Sequence, residues 1–249
     1  MKKIISFSLF FVVIAYICFS QTTMTLPRQS GKVKVWAMAS ANALLGNVYT
    51  MGRGANWNIA FSPSQNAFAN AVMVVTGTYT SDDMKVAGSA YQNCNQIGNQ
   101  QDKYFKPNAY LIFQNGTISF SDQSSCNSIQ VYKLIDKSTI LSDVVNARTK
   151  SAMVWRFFVE KRWIIKYNDG TKEMGRELLI VDFHTALTLA EACAYVKGLE
   201  RNTVYRDFNY VSTVTACLLD TGIFRPFLLN GNSVHGTFPT QQSNVIVVK

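Results

Sequence analysis

Apolar residues along this chain recur mainly with a period of two, in short runs parted by clusters of Gly, Asn, Asp and Ser. "KVKVWAM" (32–38) alternates as a half-buried strand does. "AVMVV" (71–75) is a continuous apolar run, read as a buried strand. Ahead of it, Ser62, Pro63 and Gln65 form a helix-start pattern of cap, first helical position and capping-box partner. "NAYLIFQNGTISFSD" (108–122) predicts a hairpin turning at Asn115-Gly116, and "SAMVWRFFVEKRWIIKYNDGTKE" (151–173) a second, turning near Asn168-Asp169-Gly170. "ELLIVDF" (177–183) predicts a buried strand and "TACLLDTG" (215–222) a strand ending at Asp220. "FLLNGNSV" (227–234) predicts a hairpin at Asn230-Gly231, and "NVIVVK" (244–249) a closing strand.

Helical spacing is clearest in "LTLAEACAYVKGLE" (187–200). Thr188 and Glu191 make a capping box, Leu189, Ala192, Val196 and Leu199 form one apolar face, and Gly198 marks the end. Residues 21–31 read as a polar lead-in, and residues 81–107, rich in Asn, Gln, Asp and Gly, as a long loop excursion. Many strands, few helices and no regular βαβ alternation predict an α+β fold, with mixed, mostly antiparallel sheets and a few packed helices in one domain. The expected organisation is a leader over residues 1–20, an N-terminal strand and lead-in over 21–59, and the main domain over 60–249.

The first residues change the picture of where the protein works. "MKKIISFSLFFVVIAYICFSQ" has two lysines, an apolar run and small residues at Cys18 and Ser20, the pattern of a secretory signal cleaved near Ser20. A lipid anchor at Cys18 is the alternative, though Ala15-Tyr16-Ile17 is a poor lead-in for one. The expected locations are secreted, periplasmic or another exported compartment, with a mature protein that does not span a membrane. Four cysteines remain after the leader: Cys94, Cys126, Cys193 and Cys217. In an exported chain they predict two disulfides. Three pairings exist, and locality favours Cys94–Cys126 with Cys193–Cys217. Without Cys-x-x-Cys, and with His184 and His235 as the only histidines, structural zinc is disfavoured.

The net charge is +9. Its basic residues are scattered, and Lys161, Arg162, Lys166, Lys172 and Arg176 alternate with Glu160, Asp169, Glu173 and Glu177, as on solvated strand faces. No nucleic-acid motif accompanies the charge, so no nucleic-acid partner is expected.

Asp220-Thr221-Gly222 after two leucines has the form of an aspartic-protease triplet. That chemistry needs two aspartates sharing a proton. The chain has a single triplet, with too few residues after it to build a protease subunit around a dimer axis. Its surroundings point elsewhere. "VVTGTYTSD" (74–82), "ARTKSAMVW" (147–155), "LLIVDFHTALTLAEACAYVKGL" (178–199) and "ACLLDTGIFRPFLLNGNSVHGTFPTQQSNVIVVK" (216–249) resemble, in order, four motifs of the phosphodiester glycosidase family. The resemblance spans roughly residues 60–249. It departs at Thr76, where the family has Asn, at Phe183-His184, where it has Gly-Arg, and at Thr221 and Ile223, where it has glycines.

The resemblance implies a secreted hydrolase that cleaves, or formerly cleaved, a sugar-1-phosphodiester at the glycosidic bond. Such a reaction uses a carboxylate at an oxocarbenium-like centre and planar cationic donors for phosphate. The implied catalytic residues are Asp220 and Asp182. The implied substrate contacts are Arg148 as phosphate clamp, with Thr149, Thr76, Gly77, Tyr79, His184, Thr221 and Gly222. The implied partner is a sugar-phosphate or glycan ligand, and no cofactor is called for. Trp155 and Trp163 read either as sugar-stacking rings or as core. The alternative to a hydrolase is a non-catalytic exported domain on the same fold that binds glycan or protein.

Overall fold

The computed structural model describes residues 23–24, 28–30, 32–40, 43–52, 54–62, 68, 70–80, 85–100, 107–147, 153–219, 226–236 and 243–249. Its spine is a long hairpin, β13 (Met153–Tyr167) and β14 (Lys172–Thr188). Asp169 closes the turn: its Oδ1 accepts from the Thr171 amide at 2.8 Å and hydroxyl at 2.6 Å, and Gly170 supplies a φ of 87°. β16 (Phe208–Leu218) pairs with the free side of β13, and β4 (Leu44–Met51) with the free side of β14 near Leu179–Phe183. β3 (Val33–Ala39) pairs with β4 and carries β1 (Thr23–Met24) and β2 (Arg28–Ser30). Beyond β16, β11 (Ser128–Asp136) leads to the hairpins β7 (Gly88–Gln92)–β8 (Asn95–Gln100) and β9 (Ala109–Gln114)–β10 (Thr117–Ser121). With β12 (Thr139–Ile140) and β15 (Arg201–Val204), this sheet has 14 strands.

A second sheet of five strands runs in the order β18 (Asn232–His235), β17 (Phe227–Leu229), β6 (Met73–Thr76), β19 (Asn244–Val248), β5 (Trp57–Phe61). Strand alternation divides the core between two faces of the large sheet. Phe157, Val159, Val181, Val214 and Ala216 point to one face. There they meet α2 (Leu189–Lys197), which presents Leu189, Ala192, Cys193 and Val196. Phe158, Ile180 and Cys217 point the other way, onto Met73, Val75, Phe227 and Ile246 of the small sheet. The layers are therefore one helix, a large sheet and a small sheet. α1 (Ser142–Ala147) is a short helix beside β11.

The fold is mostly β and sandwich-like, which corrects the α+β expectation. Four stretches account for most of the difference: β4, β5, β7–β8 and β11 are strands where the sequence reading had none. The β7–β8 hairpin replaces the middle of the long loop expected over 81–107. It is polar because it lies at the sheet margin, where one face meets water. The expected hairpins at Asn115-Gly116, Asn168–Gly170 and Asn230-Gly231 form, as does the helix with its Thr188–Glu191 capping box and Gly198 end. The leader and most of the helix start at Ser62–Gln65 lie outside the described residues. Strands on both sides of residue 60 belong to the same two sheets.

Cys94–Cys126 is a disulfide, the bond of an oxidising compartment. Cys193–Cys217 is not: both cysteines are free and buried. Cys193 sits on α2 above one face of the large sheet, while Cys217 points through the opposite face. The sheet itself separates the two sulfurs, and burial pushes the Cys193 thiol up to about 12 and the Cys217 thiol higher still. No helix among the described residues is long and apolar enough to cross a membrane.

Candidate functional site

Cross-strand register sets up the site. Asn47 on β4, Asp182 on β14 and Arg156 on β13 are successive neighbours in one row, on the face toward the small sheet. Immediately beyond Arg156 the β13–β14 ladder breaks: Val154 pairs with Leu187, whereas Arg156 pairs with Asp182. Such an irregularity lets strand ends diverge, and it recurs beside functional sites. Gly46 permits the close approach of β4 to β14 here, because a Cβ at Gly46 would overlap the Asp182 carbonyl oxygen. From the opposing sheet come Thr76 at the end of β6, Phe227 on β17 and His235 at the end of β18.

Arg156 is fully buried. Its Nε and Nη2 lie 2.8 and 2.7 Å from Asp182 Oδ1. Its Nη1 donates to the Pro226 carbonyl at 3.1 Å and to Thr76 Oγ1 at 3.5 Å. The Phe227 ring centroid lies 4.9 Å from the guanidinium carbon. Among the described residues the polar neighbour of Asp182 Oδ2 is His235 Nε2 at 2.7 Å, within ion-pair distance but not aligned as a hydrogen bond. Burial pushes the Asp182 carboxyl up, but the charge of Arg156 and the His235 contact outweigh it, so the group titrates below the usual carboxylate range. The His235 side chain is 25% exposed against 2% for Asp182. The imidazole is thus the cluster's link to solvent, and its Nδ1 has no hydrogen-bond partner among the described residues.

Flanking contacts fix this cluster. Asn47 Nδ2 lies 3.0 Å from His184 Nε2 and donates to the Tyr49 hydroxyl at 3.3 Å. Burial raises Tyr49 to about 12, so it stays a neutral phenol, and its ring meets Phe227 edge-on at 4.7 Å. Next to Thr76, the Asn244 side chain accepts from the Thr78 amide at 2.8 Å and donates to the Thr78 carbonyl at 3.1 Å. Gly77 makes room for it, since a Cβ there would overlap Asn244 Oδ1.

The structure brings Asp182 and Thr76 together and sets His184 one contact away, through Asn47. Gly77 is buried under Asn244, and Tyr79 is exposed just past the end of β6. Arg148, Thr149, Asp220, Thr221 and Gly222 lie outside the described residues. The described residues on either side of 220–225 both bond to Arg156: Leu219 donates its amide to the Arg156 carbonyl at 3.1 Å, and Pro226 accepts from the guanidinium.

Sequence reasoning missed Arg156, His235 and Asn47. Arg156 stands in an otherwise apolar stretch of β13, "VWRFFV", and a charge inside a buried strand is the signal that would have found it. Compared with models of known families, with curated proteins and with solved structures, the chain matches none.

Proposed function

We propose that the chain is a hydrolase of the phosphodiester-glycosidase type, with His235 as the proton-transferring group and Asp182 and Arg156 as the residues that position it. The observation that carries this reading is the Arg156–Asp182–His235 chain at one end of the sandwich, built from stretches 147–155, 178–199 and 216–249 or their immediate neighbours. A sugar-1-phosphodiester makes a specific demand. Its leaving group is a phosphate monoester whose conjugate acid titrates near pH 6, so it departs without a proton donor. Water, by contrast, must lose a proton as it bonds to the anomeric carbon.

An imidazole backed by a carboxylate meets that demand. Nε2 faces Asp182, which leaves Nδ1 to receive the proton from water. The carboxylate then stabilises the imidazolium. The C1–O bond breaks, its electron pair leaves with the phosphate, and the products are free sugar and phosphomonoester. Asp182 is too buried and too closely held by Arg156 to meet a sugar directly, so it is assigned as a positioning residue. Arg156, wholly buried and paired, cannot clamp a phosphate. That role is assigned to His184 at the rim and to Arg148. Asp220 is kept as the carboxylate nearest the anomeric centre, on the strength of the resemblance and of the bonds from Leu219 and Pro226 to Arg156.

The test is turnover of a panel of sugar-1-phosphate methyl diesters, with free sugar assayed. Wild type should release sugar, whereas His235→Gln and Asp220→Asn should not while keeping the fold. A second reading is binding without cleavage, favoured by the mutual neutralisation of Arg156 and Asp182, which leaves the His235 imidazole as the partly exposed member of that three-residue chain. Diester binding by wild type, with no sugar released from any member of the panel, would select it.

A further inference from the structure

Among the described residues, the face of the large sheet that carries α2 is covered only in part. α2 ends at Lys197, and past Leu199 a groove of about 850 Å³ opens at the margin of the sheet, lined from this face and, by Trp57, Thr117 and Arg176, from the other. Register places Lys34, Glu177, Lys161, Trp163 and Tyr210 on this face, across β3, β14, β13 and β16, with Arg201 entering from β15. The groove lies five to seven residues along β14 from Asp182, roughly 20 Å at the strand rise.

We propose that this groove binds an anionic glycan, with sugar rings seated on Trp163 and Tyr210 and acidic groups held by Lys161 and Lys34. The platform is built. The Trp163 indole lies against Gly175, where any Cβ would overlap it. Its ring plane is 23° from that of Tyr210, with centroids 6.5 Å apart, so the two rings form a loosely stacked pair. The cations are also distinctive. On the opposite face of the same hairpin, Arg162 and Arg176 are both taken by the buried Glu160, at 3.0 and 3.3 Å. Lys161 has no such partner: among the described residues it makes no hydrogen bond or ion pair, and its ammonium lies 6.0 Å from the Tyr210 ring centroid. Burial pushes it below the usual lysine range, with Glu177 opposing in part. Arg201 is anchored through Nη1 to the Gly198 and Glu200 carbonyls.

Glu177 is the one carboxylate among the described residues lining the groove, so the groove favours an anion. Flat rings beside ammonium groups that make no ion pair among the described residues suit pyranose faces bearing carboxylate or sulfate. The Cys94–Cys126 disulfide favours glycan over nucleic acid, since it belongs to an oxidising compartment. The proposal stands independently of the reaction assigned to His235.

Calorimetric titration of the intact chain with alginate oligosaccharide, dextran sulfate, neutral cello-oligosaccharide and oligo-dT tests it. Saturable binding of at least one acidic glycan is expected, weakening with salt. It should be roughly tenfold weaker, about 1.4 kcal/mol, in both Trp163→Ala and Lys161→Gln, and unchanged in His235→Gln. Lys161→Gln keeps the length and polarity of a partly buried side chain and keeps the test valid should Trp163→Ala fold poorly. Failure to bind either acidic glycan, equal binding of the neutral sugar, tighter Trp163-dependent binding of oligo-dT, or wild-type affinity in Lys161→Gln would each overturn it.

Discussion

Asp182 Oδ2 and His235 Nε2 stand 2.7 Å apart, although the two residues belong to different sheets and are 53 positions apart in the chain. The contact spans the sandwich and joins a buried ion pair to a partly exposed imidazole. If the contact positions the imidazole for proton transfer, His235→Gln should remove turnover of a sugar-1-phosphodiester and leave its binding within a few-fold. Activity of Asp182→Asn should fall by about 10²–10⁴, with a shifted pH–rate profile. A loss of binding in His235→Gln with kcat unchanged would assign the histidine to ligand contact instead.

The Arg156–Asp182 pair should be costly to break and cheap to replace. Arg156→Met leaves a carboxylate buried beside one histidine and should destabilise the fold by about 3–5 kcal/mol in denaturant unfolding. Arg156→Met with Asp182→Leu should cost less than the sum of the single changes, because neither variant side chain then strands a charge.

Acid should weaken the protein through the same group. The Asp182 carboxyl titrates below its ordinary value, so the unfolded chain binds its proton first as pH falls. Its contribution is complete above the ordinary aspartate value of about 3.9 and disappears as pH drops through the lower value in the fold. The slope of stability against pH below about 4 should therefore be shallower in Asp182→Asn than in wild type.

The cysteines should report their two environments. A chain beginning at residue 21 should show no fast-reacting thiol when native, and two thiols when unfolded without reductant, from Cys193 and Cys217. Cys94→Ser should cost about 3–4 kcal/mol from loop closure. Four thiols in the unreduced, unfolded protein would contradict the bridge.

Gly46→Ala probes how tightly β4 is held against the site. Its Cβ would overlap the Asp182 carbonyl, a backbone atom that cannot swing aside. A loss of about 1–3 kcal/mol is expected, with activity falling in step as Asp182 moves.

Local signals in the sequence were read well where chemistry acts locally. The Asn-Gly turns, the Thr188–Glu191 capping box and the β19 run "NVIVV" each became the element they predict. The strands missed were those whose pattern is ambiguous alone. β11, "SIQVYKLID", mixes polar residues into a strand buried along most of its length, and β7–β8 is polar because it sits at a margin. The site was half legible. Asp182 and Thr76 stand out through the resemblance, but Arg156 becomes meaningful only when β13 pairs with β14, and His235 only when a second sheet folds over the first. The Cys193–Cys217 bridge failed for the same reason: sequence distance does not reveal which face of a sheet a strand residue takes.

Cleavage of a sugar-1-phosphate methyl diester in ¹⁸O-labelled water tests the central claim most directly. Attack at the anomeric carbon puts the label in the hydroxyl of the released sugar and leaves the phosphomonoester unlabelled, as the account predicts for wild type, with no release by His235→Gln. Label in the phosphate, or no cleavage of any such diester by wild type, would contradict it.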